Sequence, residues 1–172
     1  MATSQEQGAF SMPDAVDTRP GGESAEIVYF TVGDIVCGLD VLQIQEIKKI
    51  QTYTPVHGGP AYVRGLVNLR GQIITLIDVR ARLGLSAHSL ESRASAIVVS
   101  IDGELVGLLV DSIGDVVQAD PDLVRPAPAN LHGVEGHFFT GVLMTAEGLV
   151  ALMDRDRIAG AEPSLLGDGR WS

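Results

Sequence analysis

Cysteine occurs once in this chain, at Cys37, so no disulfide can form within it and a reducing compartment is expected. Lysine occurs only as Lys48 and Lys49, and 12 basic residues face 22 acidic ones for a formal charge of −10. Nucleic acid binding depends on clustered Lys and Arg, and no such cluster exists, so nucleic acid is not an expected partner. An anionic membrane surface is disfavoured on the same ground. Aromatic residues make up 5% of the 172. The apolar runs are of single-strand length, short of the ~20 residues a membrane helix needs. The start, MATSQEQGAF, lacks the basic-then-apolar order of a secretion signal. Together these features predict a cytoplasmic protein with no direct membrane insertion.

What is present reads as strands. Residues 1–24 are rich in Ser, Gly, Pro, Asp and Glu and predict a disordered N-terminal tail. A body over 25–160 follows, then a C-terminal tail over 161–172 in which Trp171 could tuck back. IVYFTV and IVCGL flank Gly33-Asp34; AIVVSI and ELVGLLV flank Asp102-Gly103. Two-residue turns of this composition match the twist of paired strands. GVLMT and LVALM flank Ala146-Glu147-Gly148, and a fourth pair, GLVNLRGQIITLID, bends at Arg70-Gly71. Residues 27–39 align without gaps on 97–109 at an offset of 70, which predicts two similar small β-subdomains. Val41, Leu42, Ile44 and Ile47 have helical spacing. The segments after Asp78 and Asp154, each with an acidic start and a glycine stop, predict further short helices.

Catalytic motifs are missing. There is no GxxxxGK phosphate loop and no GxSxG elbow. His57, His88, His132 and His137 have no partner at metal-ligand spacing, save that His132 and His137 lie five apart in a Gly-rich loop without a supporting Cys or carboxylate set, and Cys37 lies in an apolar strand that suits an inert thiol. No cofactor, metal or catalytic residue is assigned. Asp78, Asp111 and Asp154 each close an apolar run and could in principle converge on a divalent cation, making the chain a small metal-dependent hydrolase. The plainer role is to accept backbone N–H groups where strands end. Arg70 poses a different question, since a charge inside an apolar run calls for water or a partner. Glu46, the acidic residue of VLQIQEI, is the candidate partner.

These segments resemble the CheW family, the coupling proteins of bacterial chemotaxis. The residues that carry the likeness are YFTVGD…CGLDVLQIQEI, YVRGLVNLRGQIITLIDVR, and LVGLLVDSIGDVV followed by VRPAP, over about residues 26–158. The resemblance implies a mainly β fold of two small five-stranded SH3-like barrels with crossing segments and a few short helices. It implies a non-enzymatic adaptor that joins the helical hairpin of a chemoreceptor to the regulatory domain of the CheA histidine kinase, with other CheW copies as further partners. Such a protein is cytoplasmic and recruited to membrane-bound receptor arrays. Carried over by position, the receptor groove comprises Ile44, Gly65, Leu66 and Asn68, with Ala94, Ser95 and Ala96 across from them. Glu46 and Arg70 match the charged positions of the family's QEI and NLRG blocks and are expected to form an ion pair, with Gly71 permitting the bend. A coupling protein of a twitching-motility or other non-flagellar pathway is the nearest alternative. Two departures stand out: Cys37 occupies a position where many relatives have a larger or aromatic residue, and ANLHGVEGHF, with its two histidines, matches little.

Overall fold

The structure, a computed structural model, describes residues 24–85 and 94–160. The two expected tails, Trp171 and His88 lie outside the described residues. In chain order the strands are β1 (Ala25–Val32), β2 (Ile35–Asp40), β3 (Ile44–Lys49), β4 (Thr54–Pro55), β5 (Val63–Leu69) and β6 (Gln72–Asp78). The helix α1 (Val79–Arg82) follows, and then β7 (Ser95–Ile101), β8 (Glu104–Val110), β9 (Ser112–Ala119) and β10 (Val124–Arg125). The last elements among the described residues are β11 (Asn130–Leu131), β12 (Val134–Glu135), β13 (Phe139–Thr145), β14 (Gly148–Met153) and helix α2 (Arg155–Ile158). One sheet has the order β9-β1-β2-β14-β13-β10 and the other β3-β7-β8-β6-β5-β4. Each therefore has five longer strands and one of two residues.

The two sheets are copies of one design, and the chain crosses between them. In each, an antiparallel hairpin (β1–β2 or β7–β8) runs parallel to the last strand of a second hairpin, β14 or β6. The first hairpin joins strands from the end of the chain, while β3, the strand after it, pairs with β7 in the other sheet. The hairpin registers close at Val32↔Ile35 and Ile101↔Glu104, so the structural offset is 69. The offset of 70 read from residue identity is one residue out, and in a strand that slip exchanges the two faces. At 69, Phe30 and Val99 both enter the large core, as do Leu39 and Leu108. The second hairpins and their helices, residues 63–84 and 139–160, match at 76. The extra seven residues fall in the segment holding β11 and β12.

The expected helix over VLQIQEI is a short 3-10 turn, Val41–Gln43, followed by strand β3. Asp40 starts the turn by accepting the Leu42 N–H at 2.8 Å. The misleading spacing comes from a β-bulge: Ile44 pairs with Val99 and Glu46 with Val98, leaving Gln45 extra. Two apolar residues three apart thereby share one face of a strand.

The large core lies between the sheets, where Phe30, Leu39, Ile77, Ile97, Leu108 and Ile158 are fully buried. Each contributes about 1.5–3 kcal/mol of transfer free energy. A smaller cluster of Ile50, Leu76, Ala94, Ala96 and Leu109 fills the interior of the β3–β8 barrel. Asp78 caps α1 by accepting from Ala81 N–H, and Asp154 caps α2 by accepting from the N–H groups of Asp156 and Arg157.

Candidate interaction site

Around the bend at residues 68–71, β5 and β6 pair up to Leu69↔Gln72, leaving Arg70 and Gly71 as a two-residue loop. Their φ angles are 52° and 87°, the left-handed pair that a tight hairpin of matching twist requires. Asn68 braces the loop, its Oδ1 accepting the Gly71 N–H at 2.9 Å. Arg70 is not surrounded by core: its side chain is 70% exposed. Its Nη2 lies 2.5 Å from Oε2 of Glu46 on β3. The hydrogen bond from Arg70 is the main reason the Glu46 carboxyl sits below its ordinary value near 4.5, and Glu46 raises the guanidinium in return. β3 is at one end of the sheet order and the β5–β6 hairpin near the other, so this contact ties the barrel's mouth together.

The other candidate residues separate by burial. Ile44, Val99, Val106, Thr75 and Leu66 form one cross-strand row on the face turned toward the other sheet. Val99 and Val106 are buried at its centre, while Ile44 and Leu66 stay half-buried at its ends. Asn68 stands beside Ile73, which is 61% exposed. Gly65 is buried, and a Cβ there would run into the backbone oxygen of Thr54 and come within 2.6 Å of the Tyr53 ring. Its role is to let β4 approach β5, not to offer surface. Ala94, Ser95 and Ala96 are also buried, and Ala94 and Ala96 belong to the small core. Their side chains therefore present little surface to a partner.

Sequence reasoning missed Ile73 and Ile47, which are 61% and 40% exposed. Strand alternation carried the signal: of neighbours Ile73 and Ile74 only one can face inward, and Ile74 does. It also missed three arginine contacts. Arg64 Nη2 meets Asp78 Oδ2 at 2.5 Å, and Arg80 Nη1 meets Asp111 Oδ2 at 2.9 Å. Arg82 donates to the carbonyls of Arg157 and Ile158 at 2.9 and 3.2 Å.

The hydrolase expectation required Asp78, Asp111 and Asp154 to converge. They are instead engaged separately: Asp78 with Arg64 and α1, Asp111 with Arg80 and the Gly33 N–H, and Asp154 with α2. Among the described residues no group of three or more His, Cys, Asp and Glu could hold a metal ion. Nor is any helix among them long and apolar enough to cross a membrane.

Two crossed β-barrels with half-exposed apolar side chains beside a surface ion pair define the class as a β-scaffold for protein contacts. The CheW-like domain family matches residues 26–162, and the chain belongs to that family. It is similar to chemotaxis protein CheW of Klebsiella aerogenes, 29% identical over 156 residues that cover 90% of this chain and 94% of that one. It is 32% identical over 137 residues to chemotaxis protein CheW of Rhizobium meliloti, covering 80% and 88%. Among solved structures, the scaffolding protein TtCheW from Thermoanaerobacter tengcongensis superposes with a TM-score of 0.70 at 26% identity, over 79% of this chain and 88% of that one. The chain is thus a chemotaxis coupling adaptor.

Proposed function

We propose that this adaptor holds the helical hairpin of a chemoreceptor against the outer face of the β3–β8 barrel, engages the regulatory domain of the CheA kinase, and catalyses no reaction itself. Ile44 and Leu66 supply apolar contact, with Ile73 extending it, and Asn68 and the Glu46–Arg70 pair form the polar rim. The observation that carries this reading is the Glu46–Arg70 contact, because it fixes the apolar residues of β3 relative to those of the β5–β6 hairpin. A helix face docks by presenting apolar anchors at spacings of three and four to such a preformed strip. The rim then sets orientation more than affinity. The protein works at receptor arrays on this reading, recruited there by its partners.

The test is co-sedimentation of receptor signalling fragments and CheA with and without this protein, alongside kinase assays. Kinase stimulation should require all three components. Ile73→Asp should weaken receptor co-sedimentation while leaving the unfolding midpoint near wild type. Unaltered receptor binding in Ile73→Asp and Leu66→Asp together would place the docking face elsewhere.

A further inference from the structure

The internal repeat sets the mouths of the two barrels side by side, and only one of them is latched. Each sheet ends in strands that do not hydrogen-bond to each other across the barrel's seam, β3 and β4 in one, β9 and β10 in the other. At the mouth of the β3–β8 barrel Arg70 reaches across to Glu46. The repeat offsets place Asp115 where Glu46 stands, and Ala146-Glu147 where Arg70-Gly71 stand. The cation of the latch is gone, and the turn carries a second carboxylate instead. Neither the Asp115 nor the Glu147 side chain has a hydrogen bond or ion pair among the described residues. The seam of this barrel opens into a groove of about 810 Å³. Tyr29, Val117, Leu143 and Leu149 give it an apolar lining, joined by Met144 and Leu123, which are 55% and 48% exposed. Its charged lining residues, Asp115, Asp120 and Glu147, are all acidic. Burial first and Glu147 second hold the Tyr29 hydroxyl above its ordinary value, so the field of this carboxylate reaches the apolar lining. The groove follows β9, whose edge away from β1 has no backbone partner among the described residues.

We propose that this groove docks an extended, cation-bearing segment of a partner protein, which adds a strand to β9 and brings an arginine or lysine to Asp115 and Glu147. Three features of the groove converge on that occupant. An unpaired strand edge offers main-chain hydrogen bonds to an extended chain, and the apolar lining receives its alternate side chains. Met144 adapts to whatever apolar side chain arrives. The incoming cation supplies to Asp115 what Arg70 supplies to Glu46, a charge-assisted hydrogen bond. A small molecule fits the site less well, because ligand pockets bury most of their occupant and this groove leaves its side chains half in water. The groove belongs to the other barrel from the strip assigned to the receptor hairpin, so it stands apart from the receptor reading.

The probe is a synthetic peptide, acetyl-Val-Arg-Val-Lys-Val-amide, beside a second in which glutamine replaces both cations. Each is titrated into the full chain and followed by NMR. Neither receptor nor kinase is present, so failure here leaves the coupling reading untouched. The cationic peptide should shift the amide resonances of Tyr29 and β9 and slow hydrogen exchange along the free edge of β9. The glutamine peptide should bind at least about fivefold more weakly, and added salt should shrink that difference. Asp115→Asn with Glu147→Gln, both at exposed positions, should remove the advantage of the cationic peptide. Met144→Ser should weaken both peptides alike. Equal binding of the two peptides, or shifts confined to the β3–β8 barrel, would overturn the proposal. Spermidine giving the same β9 shifts as the peptide would overturn it in favour of a free polyamine. Self-association of the chain that Asp115→Asn with Glu147→Gln abolishes would overturn it in favour of a second copy.

Discussion

Arg70 holds a left-handed backbone that favours glycine, yet carries a side chain with a specific task. The two demands oppose each other, and substitutions separate them. Arg70→Gly relieves the backbone and removes the charge; Arg70→Ala removes the charge and keeps the strain. Both should weaken coupling to receptor, and in urea denaturation the glycine variant should show the higher midpoint. Equal midpoints would mean the turn bears no strain. Glu46 adds a pH signature. Its carboxyl is depressed in the folded chain by the hydrogen bond from Arg70, so its contribution to stability is fully present above the ordinary value near 4.5. That contribution fades as pH falls below 4.5 through the depressed folded value. Wild type and Glu46→Gln should therefore differ in midpoint at pH 7 and converge in acid. Cys37 behaves in the opposite sense. Burial is the larger cause and Asp111 the smaller in pushing its thiol up to about 12, so it should resist thiol reagents at pH 8 until the chain unfolds. Rapid labelling under native conditions would contradict its placement in the core.

At the level of elements, the hairpins carry the regularity. Gly65 and Gly141 occupy matching positions at the offset of 76, each beside a bulge and each beneath a two-residue strand. A Cβ on Gly141 would lie 2.8 Å from both the Arg125 carbonyl oxygen and Val124 Cγ1, much as one on Gly65 would meet Thr54 and Tyr53. Gly65→Ala and Gly141→Ala should each destabilise by about 1–3 kcal/mol through overpacking, read as a lower urea midpoint. Gly65→Asp would weaken receptor binding as well, but by displacing β4 and not by charging the groove. The elements that sequence made legible are those whose signal is local. Turn residues gave the hairpins, the caps of Asp78 and Asp154 gave the two helices, and the NLRG bend gave the ion pair with Glu46. What escaped depends on pairing partners. The bulge at Gln45 disguised a strand as a helix, and the one-residue error in the repeat offset could be corrected only by seeing Val32 opposite Ile35. The burial of Ala94 and Ala96 was likewise hidden, since small residues at a strand start read equally well as surface or as lining.

At the scale of the molecule, exchange of hairpins makes each barrel depend on both halves of the chain. Strands β1 and β2 are central to a sheet otherwise built from residues 112–153, and β3 closes a sheet otherwise built from residues 54–110. Neither half can complete its own barrel, so unfolding is expected as one transition, not two. Arg82 reinforces this union at a specific place. Its guanidinium, at the end of α1, donates to the last carbonyls of α2 and stacks 4.5 Å from the Tyr62 ring centroid and 5.3 Å from that of Phe138. Carbonyls at a helix C-terminus lack intrahelical donors, so a cation placed there satisfies them and complements the dipole. Tyr62 also packs where Gly160 ends α2, within 2.6 Å of where a Cβ would stand. Removing the guanidinium in Arg82→Ala should cost on the order of 1.5–3 kcal/mol, the range for hydrogen bonds to a charged group. Arg82→Lys should restore only part of it, because an ammonium cannot span two carbonyls in a plane while stacking on two rings. If the crossed hairpins already unite the barrels, Arg82→Ala lowers the single midpoint without changing the denaturant slope. Two resolved transitions in that variant would instead show that the clamp, and not the strand exchange, makes the halves cooperate.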